Sequence, residues 1–172
     1  MTPSVLKNFS VNVLEKGYAG VATSVKLPSL KLKTIEHRAA GMDAAIDVDV
    51  GLEKLEAELT LSCPKKELLM LFGQGSVTVR AVGTFIDVLP AGVQVANAHR
   101  KVTVLMTGLI KSVEQGEWKV GEQSAETKVS MTLSDYQYFE DGKPIHNINV
   151  MLGIRIISGI DQNLAQNLPD SV

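Results

Sequence analysis

Two unusually long stretches of strand-like sequence constrain this chain more than any other feature. "HRKVTVLMTGLIKSVEQG" (99–116) and "AETKVSMTLSDYQYFE" (125–140) both outrun the ~5–6 residues of an ordinary strand and predict an extended sheet. The same period of two runs through "NFSVNVLE", which puts Phe9, Val11 and Val13 on one side. It runs also through "SVTVRAVGTFIDVL", where Val77, Val79 and Ala81 share a side until the phase breaks near Gly83. Asp141-Gly142 is the strongest local hairpin signal, because a type I′ turn needs positive φ at both central residues. A strand is expected to return through Ile145 to Val150, with Pro144 placing its start unpaired or at an edge.

One segment reads as a helix, at about residues 64–73. In "SCPKKELLMLFGQG" Pro64 suits the first helical position, Leu68, Leu69, Leu71 and Phe72 fall on one face, and Gly73 supplies a stop. A weaker helical candidate, "DQNLAQNL", precedes Pro169, and "PAGVQVANAH" (90–99) reads as a connecting loop. No internal repeat or linker divides the chain, so residues 1–172 are expected to form a single domain. The expected fold class is mainly β: an antiparallel β-sandwich or barrel with one short α-helix.

Composition removes several function classes. A net charge of −2 leaves no basic excess to draw the chain onto nucleic acid. Cys63 is the only cysteine, which rules out an internal disulfide or a thiolate cluster and fits synthesis in a reducing compartment. The amino terminus lacks a basic region followed by an apolar core, and no run approaches the roughly 18 apolar residues of a membrane span. Synthesis in the cytoplasm, with no membrane segment, is the expectation. His37, His99 and His146 lack partners at ligand spacing, so no metal is predicted. "GQGS" (73–76) lacks the lysine of a phosphate loop, and no GxSxG elbow is present. No cofactor, nucleotide site or catalytic residue is predicted, and the chain is not read as an enzyme. Trp118, in a loop between Gly116 and Gly121, is either a core cap or an interface anchor.

The remaining candidate chemistry lies in "HRAAGMDAAIDVDVGLEKLEAELTL" (37–61), where Asp43, Asp47, Asp49, Glu53, Glu56 and Glu58 face one lysine, Lys54. Ile46, Val48, Val50 and Leu52 alternate with Asp47, Asp49, Gly51 and Glu53, and Ala57, Leu59 and Leu61 with Glu56, Glu58 and Thr60. The carboxylates therefore sit on faces turned away from a core. A catalytic carboxylate pair needs a cleft that splits the two pKa values, and a calcium loop needs a spacing this stretch lacks. A solvated strand face is the simplest reading, with one oddity: ordinary surfaces mix charge signs.

Taken in order, "HRAAGMDAAIDVDVGLEKLEA", "GLIKSVEQGEWKVGEQSAETKVSMTLSDYQYFEDGKPIHNINV" and the ending "IISGIDQ" resemble the major tail tube proteins of contractile-tailed phages and the tubes of R-type pyocins, nearly end to end. The resemblance implies strands joining an inner β-barrel in a hexameric ring, with rings stacked into a hollow tube inside a contractile sheath. The implied partners are the chain itself, the sheath protein, and the tape-measure, baseplate and tail-terminator proteins, with DNA in transient passage if the particle is a phage. The implied location is the tail tube of a virion or a bacteriocin particle. The loop His37, Arg38, Ala39, Ala40, Gly41, Met42 and Asp43 would reach the neighbouring ring. Asp47, Asp49, Glu53, Glu56 and Glu58 would line the lumen or an interface, where repeated carboxylates give a passing duplex no cations to bind. Two alternatives stand beside this: the tube of a DNA-free injection device such as an R-type bacteriocin, and, from a different class, a monomeric carboxylate-based enzyme or carbohydrate-binding β-sandwich.

Overall fold

The computed structural model describes residues 4–14, 16–17, 21–63, 66–88, 94–117, 119–120 and 126–163. The strands are β1 (Ser4–Val13), β2 (Lys16–Gly17), β3 (Ala22–Lys26), β4 (Leu32–His37), β5 (Ile46–Leu52), β6 (Glu56–Leu61), β7 (Ser76–Val88), β8 (Gln94–Gln115), β9 (Thr127–Glu140), β10 (Lys143–Asn149), β11 (Ile154–Ile157) and β12 (Ile160–Asp161). Among the described residues one helix, α1 (Lys66–Met70), lies between β6 and β7. The main sheet runs β12-β11-β10-β9-β8-β7-β1-β2, with β6 joined to β9 and β3 to β6. All these pairings are antiparallel, as are those of the separate two-stranded β4–β5 ribbon.

Alternation builds the core. Val102, Val104, Met106 and Ile110 of β8 point inward, as do Val129, Met131 and Leu133 of β9, Val77 and Val79 of β7, and Val11 and Val13 of β1. Ala57, Leu59 and Leu61 of β6 belong to the same buried cluster. Burying a side chain of this size contributes roughly 1.5–3 kcal/mol. The phase break near Gly83 is present: after Ala81 the buried position moves to Ile86.

The sheet branches where one edge of β9 changes partner. Thr127 to Thr132 pair with β6, whereas Asp135 to Glu140 pair with β10. At the fork the N–H of Leu133 donates to Leu55 O at 2.9 Å, and the N–H of Val150 donates to Ser134 O at 2.9 Å. Across from it the β8–β9 register slips at Thr107/Gly108. A Cβ on Gly108 would lie 2.0 Å from Thr132 O and 2.8 Å from Leu133 Cα, so only glycine permits this approach.

The Asp141-Gly142 turn forms as expected, with φ of 48° and 79°. Pro144 faces Phe139 of β9 but lies before the β11 pairing, which begins at His146, so its other side is open. Two expectations shift. The helix covers Lys66–Met70 with only Leu68 fully buried, and Phe72 is exposed; Pro64 lies outside the described residues. Residues 94–99, read as part of a loop, belong to β8, and His99 pairs with Ile86. Pro90 and Gly92 give that segment a turn composition, but backbone pairing in a hairpin needs no apolar side chain to extend it. Of "DQNLAQNL", Asp161 ends β12 and Gln162 and Asn163 form a turn, not a helix, and the rest lies outside the described residues.

Candidate functional site

The acidic stretch divides between two structures. Asp47 and Asp49 lie on β5, Glu53 on the exposed connection, and Glu56 and Glu58 on β6 in the main fold. In β6 Ala57, Leu59 and Leu61 are inside as expected, but Thr60, expected on the outward row with Glu56 and Glu58, is buried as well. In β5 it does not: both faces of the β4–β5 ribbon are open to solvent in the single chain.

Cross-strand pairing defines the ribbon's faces. Ile35 opposes Val48 and His37 opposes Ile46, forming one face; Glu36 opposes Asp47 and Thr34 opposes Asp49, forming the other. The first face carries Ile35, Ile46 and Val48 at 54%, 53% and 39% exposure, and Val50 follows them in the strand. Below it the register shifts opposite Gly51, before the Leu32–Leu52 pair. An isolated two-stranded hairpin is marginal in water, and this one leaves an apolar face open to solvent in the single chain. On the polar face Glu36 and Asp47 stand directly opposite as like charges, an arrangement that destabilises a strand pair.

Among the described residues one ion pair ties the ribbon to the main sheet. Arg155 of β11, a buried residue, donates from Nη2 to Asp49 Oδ2 at 2.6 Å. The Gly51 N–H donates to Asp49 Oδ1 at 2.8 Å. The Arg155 hydrogen bond and then the Gly51 amide hold the Asp49 carboxyl below its usual range. Arg155 Nε is buried with no partner among the described residues, which leaves Asp49 as the group that neutralises the guanidinium there. Arg155 is absent from the sequence reading, although a lone arginine among the apolar residues of "GIRIIS" signals a buried charge in need of a partner.

Glu56 has its own cations. Lys111 Nζ of β8 and Lys54 Nζ each lie 2.9 Å from Glu56 Oε1. Lys111 first and Lys54 second lower its pKa to about 2. The apparent shortage of positive charge along 37–61 is thus partly a property of the linear sequence, since the fold brings Arg155 and Lys111 from far along the chain.

The candidate loop forms the tip of the ribbon. His37 ends β4, and Arg38, Ala39, Ala40, Gly41 and Asp43 are exposed, with Met42 half-buried. The Met42 N–H donates to Ala39 O at 3.2 Å, and Gly41 has φ +91°. Trp118 lies outside the described residues. Among the described residues no three of His, Cys, Asp and Glu gather closely enough to hold a metal ion. His146 lies against Tyr136 and Tyr138 at ring-centroid distances of 6.3 and 5.9 Å, and burial pushes its pKa down.

The ribbon thus carries an apolar face held away from the chain's own core. The chain is 33% identical over 166 residues to the tail tube protein of Escherichia phage P2, covering 93% of this chain and 92% of that protein. It is 26% identical over 151 residues to the major tail tube protein of Serratia phage KSP20, covering 87% and 84%. In fold it resembles a chain of the sheath–tube complex of an extracellular contractile injection system, PVC, with a TM-score of 0.57 at 14% identity, over 80% of this chain and 91% of that one. It also resembles a chain of the baseplate of the anti-feeding prophage, with a TM-score of 0.52 at 16% identity, over 81% and 97%. The family model for phage tail tube protein FII matches residues 3–167, and the chain belongs to that family, the structural subunits of the inner tube of a phage tail.

Proposed function

We propose that six copies of the chain close into a ring and that the rings stack into the hollow tube of a contractile tail, through which DNA leaves the particle. The observation that carries this reading is the open apolar face of the β4–β5 ribbon, supported by free strand edges. Among the described residues β1 is paired on its outer side only at Asn12 and Val13, and β8 runs on past Leu109, where its pairing with β7 begins at Ser76. Free edges of this length invite pairing with another chain. In this reading the sheath encloses the tube, and tape-measure, baseplate and terminator proteins set its length and ends. The chain performs no hydrolytic, transfer or redox chemistry and takes no stoichiometric metal.

A second reading keeps the tube and removes the DNA. Its support is the fold shared with chains of extracellular contractile injection particles. Capsid and terminase genes beside the tail genes would favour a phage, and their absence the DNA-free device. The assembly itself is tested by sedimentation and negative-stain microscopy across a concentration series, with and without a baseplate initiator. Rings or tubes are expected; discrete monomers under every condition would overturn the proposal and return the carboxylate-based enzyme or carbohydrate-binding alternatives.

A further inference from the structure

The β4–β5 ribbon is seated on one face of β9, β10 and β11, and the register of those strands brings two basic side chains together beneath it. Tyr138, His146 and Ile157 stand in one cross-strand row, and Tyr136, Ile148 and Arg155 in the next. His146 and Arg155 are therefore diagonal neighbours on the same face, roughly 7–8 Å apart at the backbone. Between this face and the base of the ribbon lies a cavity of about 330 Å³, walled by Leu32, Leu52 and Asp49 of the ribbon and by His146, Arg155 and Ile157 of the sheet. We infer that His146 is an acid-operated release for the ribbon: its protonation sets a second cation beside Arg155 and loosens the attachment of Asp49. The device lies within one chain and does not depend on tube assembly.

The surroundings offer an imidazolium no partner. His146 Nδ1 is buried without a hydrogen-bond partner among the described residues, as is Arg155 Nε. A neutral ring can leave its unprotonated nitrogen in such a place, but an imidazolium donates from both nitrogens and carries a charge that burial penalises. Each ionisable group nearby is neutral, engaged or cationic. From β9, Tyr136 and Tyr138 pack against the ring, and burial pushes both phenols up, Tyr136 to about 12, so neither supplies a negative charge. Glu140, two residues beyond Tyr138, is held by Arg100 at 3.0 Å, and Lys143 of β10 faces it. Arg155 comes from β11. Asp49 comes from the ribbon, but its Oδ1 accepts from the Gly51 amide and its Oδ2 from Arg155. Lys31, just before β4, adds a further cation at the cavity.

The sign follows from which state binds the proton. Burial lowers the His146 pKa from 6.5, so the seated ribbon favours the neutral ring, whereas an opened ribbon lets water reach Nδ1 and restores the ring's ordinary affinity for a proton. The seat is therefore firmest above about 6.5 and weakens as pH falls below it. Asp49 is lowered from 3.8 and Glu56 from 4.5, so both stay charged through the first unit of that fall. One unit below 6.5, linkage through a single histidine limits the gain in opening to about tenfold.

Hydrogen exchange of the dilute full-length chain, corrected for the intrinsic effect of pH on exchange, tests the release. Between about pH 7.5 and about pH 5.5 the protection of residues 32–52 should fall roughly three- to tenfold while that of β8 and β9 holds. His146→Gln and His146→Phe each keep a neutral side chain beside Tyr136 and Tyr138, and either should remove most of that fall. His37→Asn, which takes away the ribbon's own exposed histidine, should leave it in place. A histidine that serves only packing would lower protection by the same factor at both pH values in its variants, with the fall intact, and that result overturns the release. A fall shared equally by β8 and β9, or one abolished by His37→Asn, overturns it as well. Circular dichroism checks each variant; if one does not fold the other carries the comparison, and the contrast between ribbon and β8–β9 in the wild type needs neither.

Discussion

Arg155 of β11 donates to Asp49 of β5 at 2.6 Å, and this pair joins the two separate sheets of the described structure. The arginine is the more buried partner, with its side chain 10% exposed against 35% for the aspartate. Asp49→Asn therefore leaves a buried guanidinium without its counter-charge, whereas Arg155→Met removes that charge altogether. Asp49→Asn should lower Tm by roughly several degrees, more than Arg155→Met does. It should also make the segment between Leu32 and Leu52 more sensitive to limited proteolysis. Equal effects of the two substitutions in thermal melts would mean that the pair contributes only packing.

Glu56 gives the stability a defined pH dependence. Its carboxyl titrates at about 2 in the folded chain, below the ordinary 4.5, because Lys111 and Lys54 stabilise the charged form. A depressed folded pKa means the contribution is complete above about 4.5 and is lost as pH falls toward 2. Asp49 is shifted in the same direction by Arg155. Glu56 is half exposed, so the contribution is small and salt weakens it. Urea midpoints measured from pH 6 to pH 2 should fall more steeply for the wild type than for Glu56→Gln, and the two curves should converge near the acid end. Parallel curves would show that the pairing persists little in solution.

Among the described glycines, Gly108 leaves the least room for a side chain. Its missing side chain lets the backbone of Thr132 and Leu133 approach β8 at the fork in the sheet, and backbone atoms cannot swing aside as a flexible side chain can. Gly108→Ala should cost on the order of 3 kcal/mol, the upper end of ordinary overpacking. Chemical denaturation measures it directly. A loss under about 1 kcal/mol would mean that the β8–β9 register adjusts freely.

Legibility of the fold in the sequence follows the range of the interactions. The period of two in β8 and β9 and the Asp141-Gly142 turn are local signals, and the structure follows them. The isolated glycine at 108, inside a long strand, was a local sign of close approach that the alternation of its neighbours hid. Val48 marks the limit of pattern reading. Alternation says that one face of β5 is to be covered but not by what, and here the cover does not come from the chain's own core. The Arg155–Asp49 pair spans 106 residues, a separation across which no spacing rule operates.

Gly41 tests the ribbon tip. It adopts φ +91° with nothing within 4 Å of an added Cβ, so a substitution there is opposed by backbone conformation and not by crowding inside the chain. Gly41→Val should leave the circular dichroism spectrum of the subunit intact while shortening or abolishing tubes. An unfolded variant would show that the tip serves the fold of the single chain, and full-length tubes would show that it makes no demanding contact between copies.

The last prediction concerns Glu36 and Asp47 on the polar face of the ribbon, both exposed in the single chain. Glu36 and Asp47 oppose each other across β4 and β5 with no ion-pair partner among the described residues, a repulsion that a fold selected only for stability would relieve. Copies of such a pair around a narrow channel act within about a Debye length, ~8 Å at physiological salt, of one another and of a passing phosphate. Acids of residues 43–58, joined by those of the strand 125–140, would then give the lumen a net negative field. Asp49 contributes less than Asp47 because Arg155 neutralises it. Like-charge crowding opposes assembly, so tube formation should improve with added salt. The double substitution Glu36→Lys with Asp47→Lys keeps the repulsion while reversing its sign, and so separates charge from stability. Its tubes should still assemble, but they should hold DNA and slow its release, with high salt restoring the rate. A reconstructed tube decides the matter: if Glu36 and Asp47 point outward to the sheath, the lumen role is wrong and the acidic face is a docking surface for sheath subunits.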